Sequence, residues 1–246
     1  MIEDPFARTA LWSKRLGLFA VPVAIIAVFV QRSGRVDFQP ALTALGAGLV
    51  LAAAAVVLGL TAFAIIWVRG NRGAGAASTG IVAGVLVLAA PLYFMAQASS
   101  LPPLIDIATG PANPPAFVFA GTERTPRDNP IAYAGEMSAL AQLSAFPDIQ
   151  PLRVAQPPDE VHSLALQLVE ARGWRVLDSG YTARRIEAVA TSLIMKFEDD
   201  VVIVIEPDGS GSRVQMRSAA RAGDRDFGRN AERVRGFLSE LGAQAR

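Results

Sequence analysis

The sequence predicts an α+β protein in two parts: three N-terminal transmembrane helices, then a soluble domain in which an antiparallel sheet of four to five strands is packed by two helices. Three observations carry this reading. Hydrophobic residues make up 52% of the 246 residues, too many for one ordinary soluble domain. The excess lies in the first hundred residues, as three long apolar runs. Beyond about residue 152 the pattern becomes helix, then four strand-like stretches, then helix. The expected organisation is therefore a membrane domain over 1–100, a proline-rich extended segment over 101–151, and an α+β domain over 152–246.

Charge divides along the same line. Residues 1–100 hold seven Lys/Arg and three Asp/Glu, whereas residues 101–246 hold sixteen and nineteen. The formal net charge of +1 thus conceals a basic membrane end and a mildly acidic domain. Absence of cysteine excludes a disulfide framework, a thiolate nucleophile and Cys-ligated zinc or iron–sulfur sites. With a single histidine, His162, any metal site would need oxygen ligands, and a Ser-His-Asp arrangement has one candidate base.

The three spans are expected at about 11–30, 43–68 and 79–98. The first apolar run, Leu16 to Val30, is about 22 Å long as a helix, short against a hydrocarbon core of about 30 Å. It must recruit the preceding ALWS or snorkel Lys14 and Arg15. A signal peptide would also begin this way, but QRSGR stands where a small-residue cleavage site belongs, which favours a retained anchor. The second run is uncharged from Phe38 to Val68, so its helix is expected to start near Leu42 or Leu45, after Pro40. Ala44, Gly48 and Ala52 fall on one face of it, and the third run carries Gly80 and Gly84 in GxxxG spacing. Small residues four apart let helices approach closely, so helices two and three are expected to pack as a hairpin and to offer a surface to other membrane proteins.

Orientation follows the basic residues at the helix ends. Arg8, Lys14, Arg15, Arg69 and Arg72 flank the amino terminus and second loop, against Arg32 and Arg35 in the first loop. Five against two predicts a multi-pass membrane protein with a cytoplasmic N terminus and a C-terminal domain outside the cytoplasm. The bilayer is its first partner.

Prolines at 102, 103, 111, 114, 115, 126, 130, 147 and 151 forbid long helices in the next segment, which reads as an extended tether lying against the domain, with one short helix from about Gly135 to Leu143. PPDEVHSLALQLVEARG then has Val161, Leu164, Ala165, Leu168 and Val169 at helical spacing, Asp159 and Glu160 in the first turn and Gly173 as its stop. WRVLDS, RRIEAVATSLIMKF, DVVIVIEP and SRVQMRSAA follow as strands, joined by the turn signals SGYT, EDD and PDGSG. Phe227, Ala231, Val234, Leu238 and Leu241 mark the inward face of a terminal helix.

The segments LIDIATGPANPPAF, NPIAY, FPDIQPL, RIEAVATS and FEDDVVIVIEPDGSGSRVQMRSAARAGDRDFGRNAERVRGFL resemble the domain of unknown function 1499 family, found in bacteria and plastid-bearing organisms. The resemblance covers about Pro102 to Leu241 and is most specific from Phe197 to Phe237. An aromatic, Asp-Asp, strand, Gly-containing turn, strand and Arg-Ser-rich loop before a terminal helix are matched here by Phe197, Asp199, Asp200, Arg213, Arg217, Ser218, Arg221, Asp226, Gly228, Asn230 and Arg233. Two positions depart from the pattern: Leu104-Ile105-Asp106 stands where the family often has His before Asp, and Gly110 where an acid is usual. The resemblance implies boundaries and, with the orientation above, a protein of the bacterial inner membrane whose C-terminal domain is periplasmic; it carries no activity with it.

Arginines recur at 217, 221, 225, 229 and 233. One reading makes Arg217, Arg221, Arg225 and Arg229 an anion-binding cup near the terminal helix's amino end, where free N–H groups favour negative charge. The other, which the residues favour, is structural: Asp224 or Asp226 caps the helix, and the arginines pair with Asp199, Asp200 and Glu232 in a polar network that includes Asp226, Asn230 and Arg233. Glu198, Asp199 and Asp200 are expected as a turn between strands rather than metal ligands. His162 is expected as a partly exposed helix residue and Trp174 as a core anchor. No phosphate loop, GxSxG, HExxH or dinucleotide fingerprint is present, and no catalytic residue, metal or cofactor is assigned. Nucleic acid is disfavoured by the domain's acidity. The sequence thus favours a non-catalytic binding or assembly module of the cell envelope, with an enzyme acting on an anionic envelope substrate through an arginine-lined pocket as the alternative.

Overall fold

The computed structural model describes residues 5–33, 38–180 and 182–245, and the side chains of all these except 38 and 97–100. Arg35 of the first loop and Tyr181 of the SGYT turn lie outside the described residues. Contacts divide the chain into two units, Met1–Ala96 with Ile194–Lys196, and Gln97–Leu193 with Phe197–Arg246.

In the first unit α1 spans Arg8–Arg32, α2 Phe38–Arg69 and α3 Ala74–Ser100, each long and apolar enough to cross a membrane. The short first run solves its length problem by recruitment: α1 begins at Arg8, well before the apolar run, and its 25 residues reach about 37 Å. On its flank the Arg15 guanidinium lies 5.6 Å from the Trp12 ring centre. The second helix starts earlier than expected, at Phe38. Pro40 falls in the first turn, where N–H groups lack intrahelical partners and a proline removes nothing.

Small residues draw all three helices together rather than joining only α2 to α3. Gly80 faces α1, where any Cβ would strike Ser13, while Gly84 faces α2, where a Cβ would strike the Ala52 carbonyl oxygen. The two glycines of one GxxxG motif therefore serve different partners. Fully buried Ser13 donates its hydroxyl to the Ala55 carbonyl at 2.7 Å, satisfying a polar group inside the bundle. Before α1, the Ala7 N–H donates to the Arg72 carbonyl (2.9 Å), and the Arg72 N–H donates to that of Pro5 (3.2 Å). These bonds fasten the amino-terminal segment to the loop between α2 and α3.

The second unit is α+β. Its strands are β1 (Asp106–Ala108), β2 (Leu152–Val154), β3 (Arg175–Asp178), β4 (Arg185–Thr191), β5 (Glu198–Asp208) and β6 (Gly211–Ala220); its helices are α4 (Ala120–Glu123), α5 (Glu136–Ala145), α6 (Pro158–Ala171) and α7 (Arg229–Gln244). All pairings are antiparallel, in the order β1-β6-β5-β4-β3. The four expected strands are the meander β3 to β6. Two further strands come from short stretches without the length or alternation that marks a strand: β1 and β2 pair with successive parts of β6, at 217–219 and 212–214.

The β5–β6 turn follows from PDGSG: Asp208 pairs Gly211, and Gly209 takes φ 61°, a left-handed conformation that glycine adopts without steric cost. Along β6 the side chains alternate as the sequence predicts, Val214 and Met216 entering the core and Arg217 pointing to the other face. Ile186, Ala188, Val201, Ile203 and Ile205 join them from β4 and β5, covered by Val161, Ala165, Leu168 and Val169 of α6 and by Ala231, Val234, Phe237 and Leu241 of α7. Trp174 anchors this core by stacking on Phe237, with ring centres 5.5 Å apart.

Two expectations about the helices are corrected. Phe227 is not on the inward stripe of α7, which begins only at Arg229; Phe227 has φ 57° and is exposed, and Phe237 fills the core position instead. His162 is buried rather than partly exposed, because α6 presents a broad face that includes it beside Val161 and Ala165.

The far face of the sheet is covered by the proline-rich segment, which is more than a tether. Glu187 of β4, fully buried, accepts from the N–H groups of Val118 (2.7 Å), Phe119 (2.8 Å) and Ala120 (3.0 Å). Its carboxylate thereby takes up donors at the start of α4 that have no helical partner. On the sheet edge the buried Gln142 amide of α5 exchanges hydrogen bonds with both backbone groups of Ala108, at 3.0 and 2.6 Å, acting as a one-residue continuation of the sheet.

Candidate functional site

The acids and arginines singled out by the sequence gather at one end of the sheet, but on two different faces. Glu198, Asp199 and Asp200 open β5 instead of forming a turn; the turn lies just before them, closed by Ser192 and Phe197. Strand alternation then forces Asp199 and Asp200 to opposite sides.

On the helix side Asp199 accepts from Arg229 (3.1 Å) and Arg233 (2.6 Å), both from the first two turns of α7. Arg233 also donates to Ser218 Oγ (2.9 Å) and to Asn230 Oδ1, while the Ser218 hydroxyl donates to Asn230 Oδ1 (2.7 Å). The Asn230 amide reaches back to the Ile105 carbonyl at 3.0 Å. Helix, central strand and chain entry are thus tied through one buried asparagine.

Asp226 supplies the helix start, accepting from the N–H groups of Gly228 (2.9 Å) and Asn230 (2.8 Å). Of the two capping candidates it is Asp226, not exposed Asp224, that does this. Burial pushes its carboxyl above the usual range, and the two backbone donors pull it partly back.

On the far side Asp200 accepts from Arg221 (3.0 and 2.6 Å) and from Arg124 (2.7 Å). Arg221 also reaches Glu198 at 2.8 Å. Asn129 clasps the same corner, donating its amide to the carbonyls of Ala220 and Gly223 and its backbone N–H to that of Arg221. Farther along, Arg217 and Asp106 form a two-pronged pair at 2.7–3.2 Å between adjacent strands β6 and β1. The Arg217 guanidinium lies 4.6 Å from the Phe117 ring centre and 5.4 Å from that of Tyr133, and it donates to the Pro115 and Ile131 carbonyls. Carboxylate, carbonyls and two aromatic rings thus surround that cation. Burial, with Asp106 adding to it, raises the Tyr133 phenol to about 12, so it stays protonated.

The four arginines of the expected cup are therefore dispersed. Arg217 and Arg221 serve the far face, Arg229 serves the helix face, and Arg225 lies exposed in the connecting loop 221–228. Glu232 does not share in the network; Asp106 and Arg124 do, and Glu187 holds the same cover, partners that no local pattern in the sequence assigns to these arginines and N–H groups. Glu187 had a legible signal, a carboxylate in the otherwise apolar strand RIEAVAT. Asp106 and Arg124 had none, since their partners lie 111 and 76 residues away.

His162 faces inward near the Arg185 backbone, and burial lowers its pKa, so it is held neutral. Among the described residues no group of three or more His, Cys, Asp or Glu side chains is placed to hold a metal ion. Chemically this is an interlocked set of charge pairs suited to fixing α7 and the proline-rich cover to one sheet.

Comparison with curated proteins finds no match. A family model described as "Protein of unknown function (DUF1499)" matches residues 106–241, from the first residue of β1 to the buried Leu241 of α7. That range contains the whole sheet, both of its covers and every charge pair described above, and it spans more than half the chain, which therefore belongs to the DUF1499 family.

Proposed function

We infer that this protein is a membrane-anchored, non-catalytic binding or assembly module of the bacterial envelope, with its family domain on the periplasmic side. The observation that carries the non-catalytic reading is the state of the buried acids. Among the described residues Asp106, Glu187, Asp199, Asp200 and Asp226 are the buried carboxylates, and each is engaged by arginine or backbone N–H donors. A general acid or base needs a free face toward substrate, and these groups spend theirs on the fold.

The orientation rests on the basic residues. Arg8, Lys14, Arg15, Arg69 and Arg72 belong to segments bonded to one another through Ala7 and Arg72, so they count on the same side of a three-span bundle. Three spans carry the following domain to the other side. An alkaline phosphatase fusion after the last helix, expressed in a bacterial host, is expected to be active; an inactive fusion contradicts the exported reading. Crosslinking in native membranes is expected to trap a stoichiometric partner, and recovery of the chain alone counts against an assembly role.

A further inference from the structure

The turn between β4 and β5 reads Ser192-Leu193-Ile194-Met195-Lys196, three large apolar residues where hairpin turns ordinarily carry Gly, Asn, Asp or Ser. Leu193 is 86% and Ile194 57% exposed. Nothing in a turn requires this: Lys196 adopts the left-handed φ of 55°, and the Ser192 hydroxyl accepts from the Phe197 N–H at 2.8 Å, so a polar sequence would close the turn equally well.

The sheet register fixes which end this turn occupies. Thr191 pairs Glu198, Asp199 pairs Ala220, and Asp106, the first residue of β1, pairs Ala219. The apolar turn thus projects from the end of the sheet at which the chain arrives from α3. Between Ser100, the last residue of α3, and Asp106 stand five residues, a reach of at most about 20 Å. Large apolar side chains beside a lysine, a short reach from a membrane-spanning helix, have the composition of a surface that enters the headgroup region. The opposite end of the sheet is polar: its turn is Asp208-Gly209-Ser210.

The geometry points to the β4–β5 turn as an interfacial membrane anchor, with Leu193 and Ile194 entering the boundary between headgroups and acyl chains of the bilayer that holds α1 to α3, and Lys196 meeting anionic headgroups. This second attachment limits the freedom that a five-residue connection leaves to the domain. It is independent of which compartment holds the domain, since both leaflets present the same boundary.

The chain has no cysteine, so single-cysteine variants report single positions. Full-length Leu193→Cys, Ile194→Cys and, at the polar end, Ser210→Cys are labelled with an environment-sensitive dye. Each is reconstituted in phosphatidylcholine–phosphatidylglycerol vesicles, with or without lipids carrying a nitroxide high on the acyl chain. The expected result is strong nitroxide quenching and protection from iodide at 193 and 194, at least several-fold beyond that at 210. Equal iodide access at all three positions would overturn the proposal. So would protection at 193 and 194 without nitroxide quenching, because the turn would then be covered by protein rather than lipid.

Discussion

The two faces of the sheet are buried by different chemistry. On one side α6 and α7 lay Val161, Leu168, Val234, Phe237 and Leu241 over Ile186, Ile203, Val214 and Met216, and charge enters at the margin, through Asp199 and the helix-capping Asp226. On the other side a cover without a long helix is held by Glu187, Asp200, Arg217 and Arg221 reaching its backbone and side chains. A regular helix buries a stripe of apolar residues and satisfies its own backbone; a proline-rich strap cannot, so its carbonyl and N–H groups need partners supplied by the sheet. The charged residues that first suggest a binding site are what allows an irregular chain to be buried.

Several substitutions break or sharpen this contrast. The largest loss is expected for Asp200→Ala, which strands both Arg124 and Arg221 without their shared carboxylate, at about 3 to 5 kcal/mol in urea denaturation of the detergent-solubilised chain. Phe237→Ala on the apolar side opens a cavity beside half-buried Trp174 and also costs about 3 to 5 kcal/mol, seen with a change in Trp174 fluorescence. Asp226→Ala removes only the helix start and is expected to cost about 1 to 2 kcal/mol in the same denaturation assay. At the small end, Arg235→Ala gives up the exposed pair with Asp148 and should shift the denaturation midpoint by no more than about 0.5 kcal/mol in stability.

A pH experiment probes the helix-covered side by itself. His162 lies on the buried face of α6 with its pKa lowered from the ordinary 6.5, chiefly by burial. The unfolded chain then takes up a proton first as pH falls, so stability is full above about 6.5 and declines below it toward the folded pKa. Buried Asp226, whose pKa is raised, acts in the opposite sense: the folded state holds its proton longer, and that part of stability grows as pH falls. His162→Gln is expected to flatten the loss between pH 7 and 5 relative to the parent chain, and an unchanged slope would remove His162 as its source.

How much of this was legible in the sequence depended on whether local pattern or distant pairing decided a feature. Three spans, α6, α7 and the meander β3 to β6 follow from periodicity and turn residues, which act over a few positions. Asp199 and Asp200 could be seen to answer arginines, yet their separation onto two faces became visible only with the strand boundary, because moving it by two residues turns a loop into a ladder. β1, β2 and the role of Gln142 were not legible at all. A three-residue strand is made by its partner β6, and Gln142 bonds to Ala108 only because α5 is placed beside it.

The central claim is that these buried arginines hold the fold together, and the Asp106–Arg217 pair tests it most directly. A double-mutant cycle with Asp106→Ala and Arg217→Ala, measured by denaturation of the full chain, is expected to show each single change costing about 3 to 5 kcal/mol and the double change costing little more than either. Single changes that leave stability intact, or costs that simply add, would contradict the account.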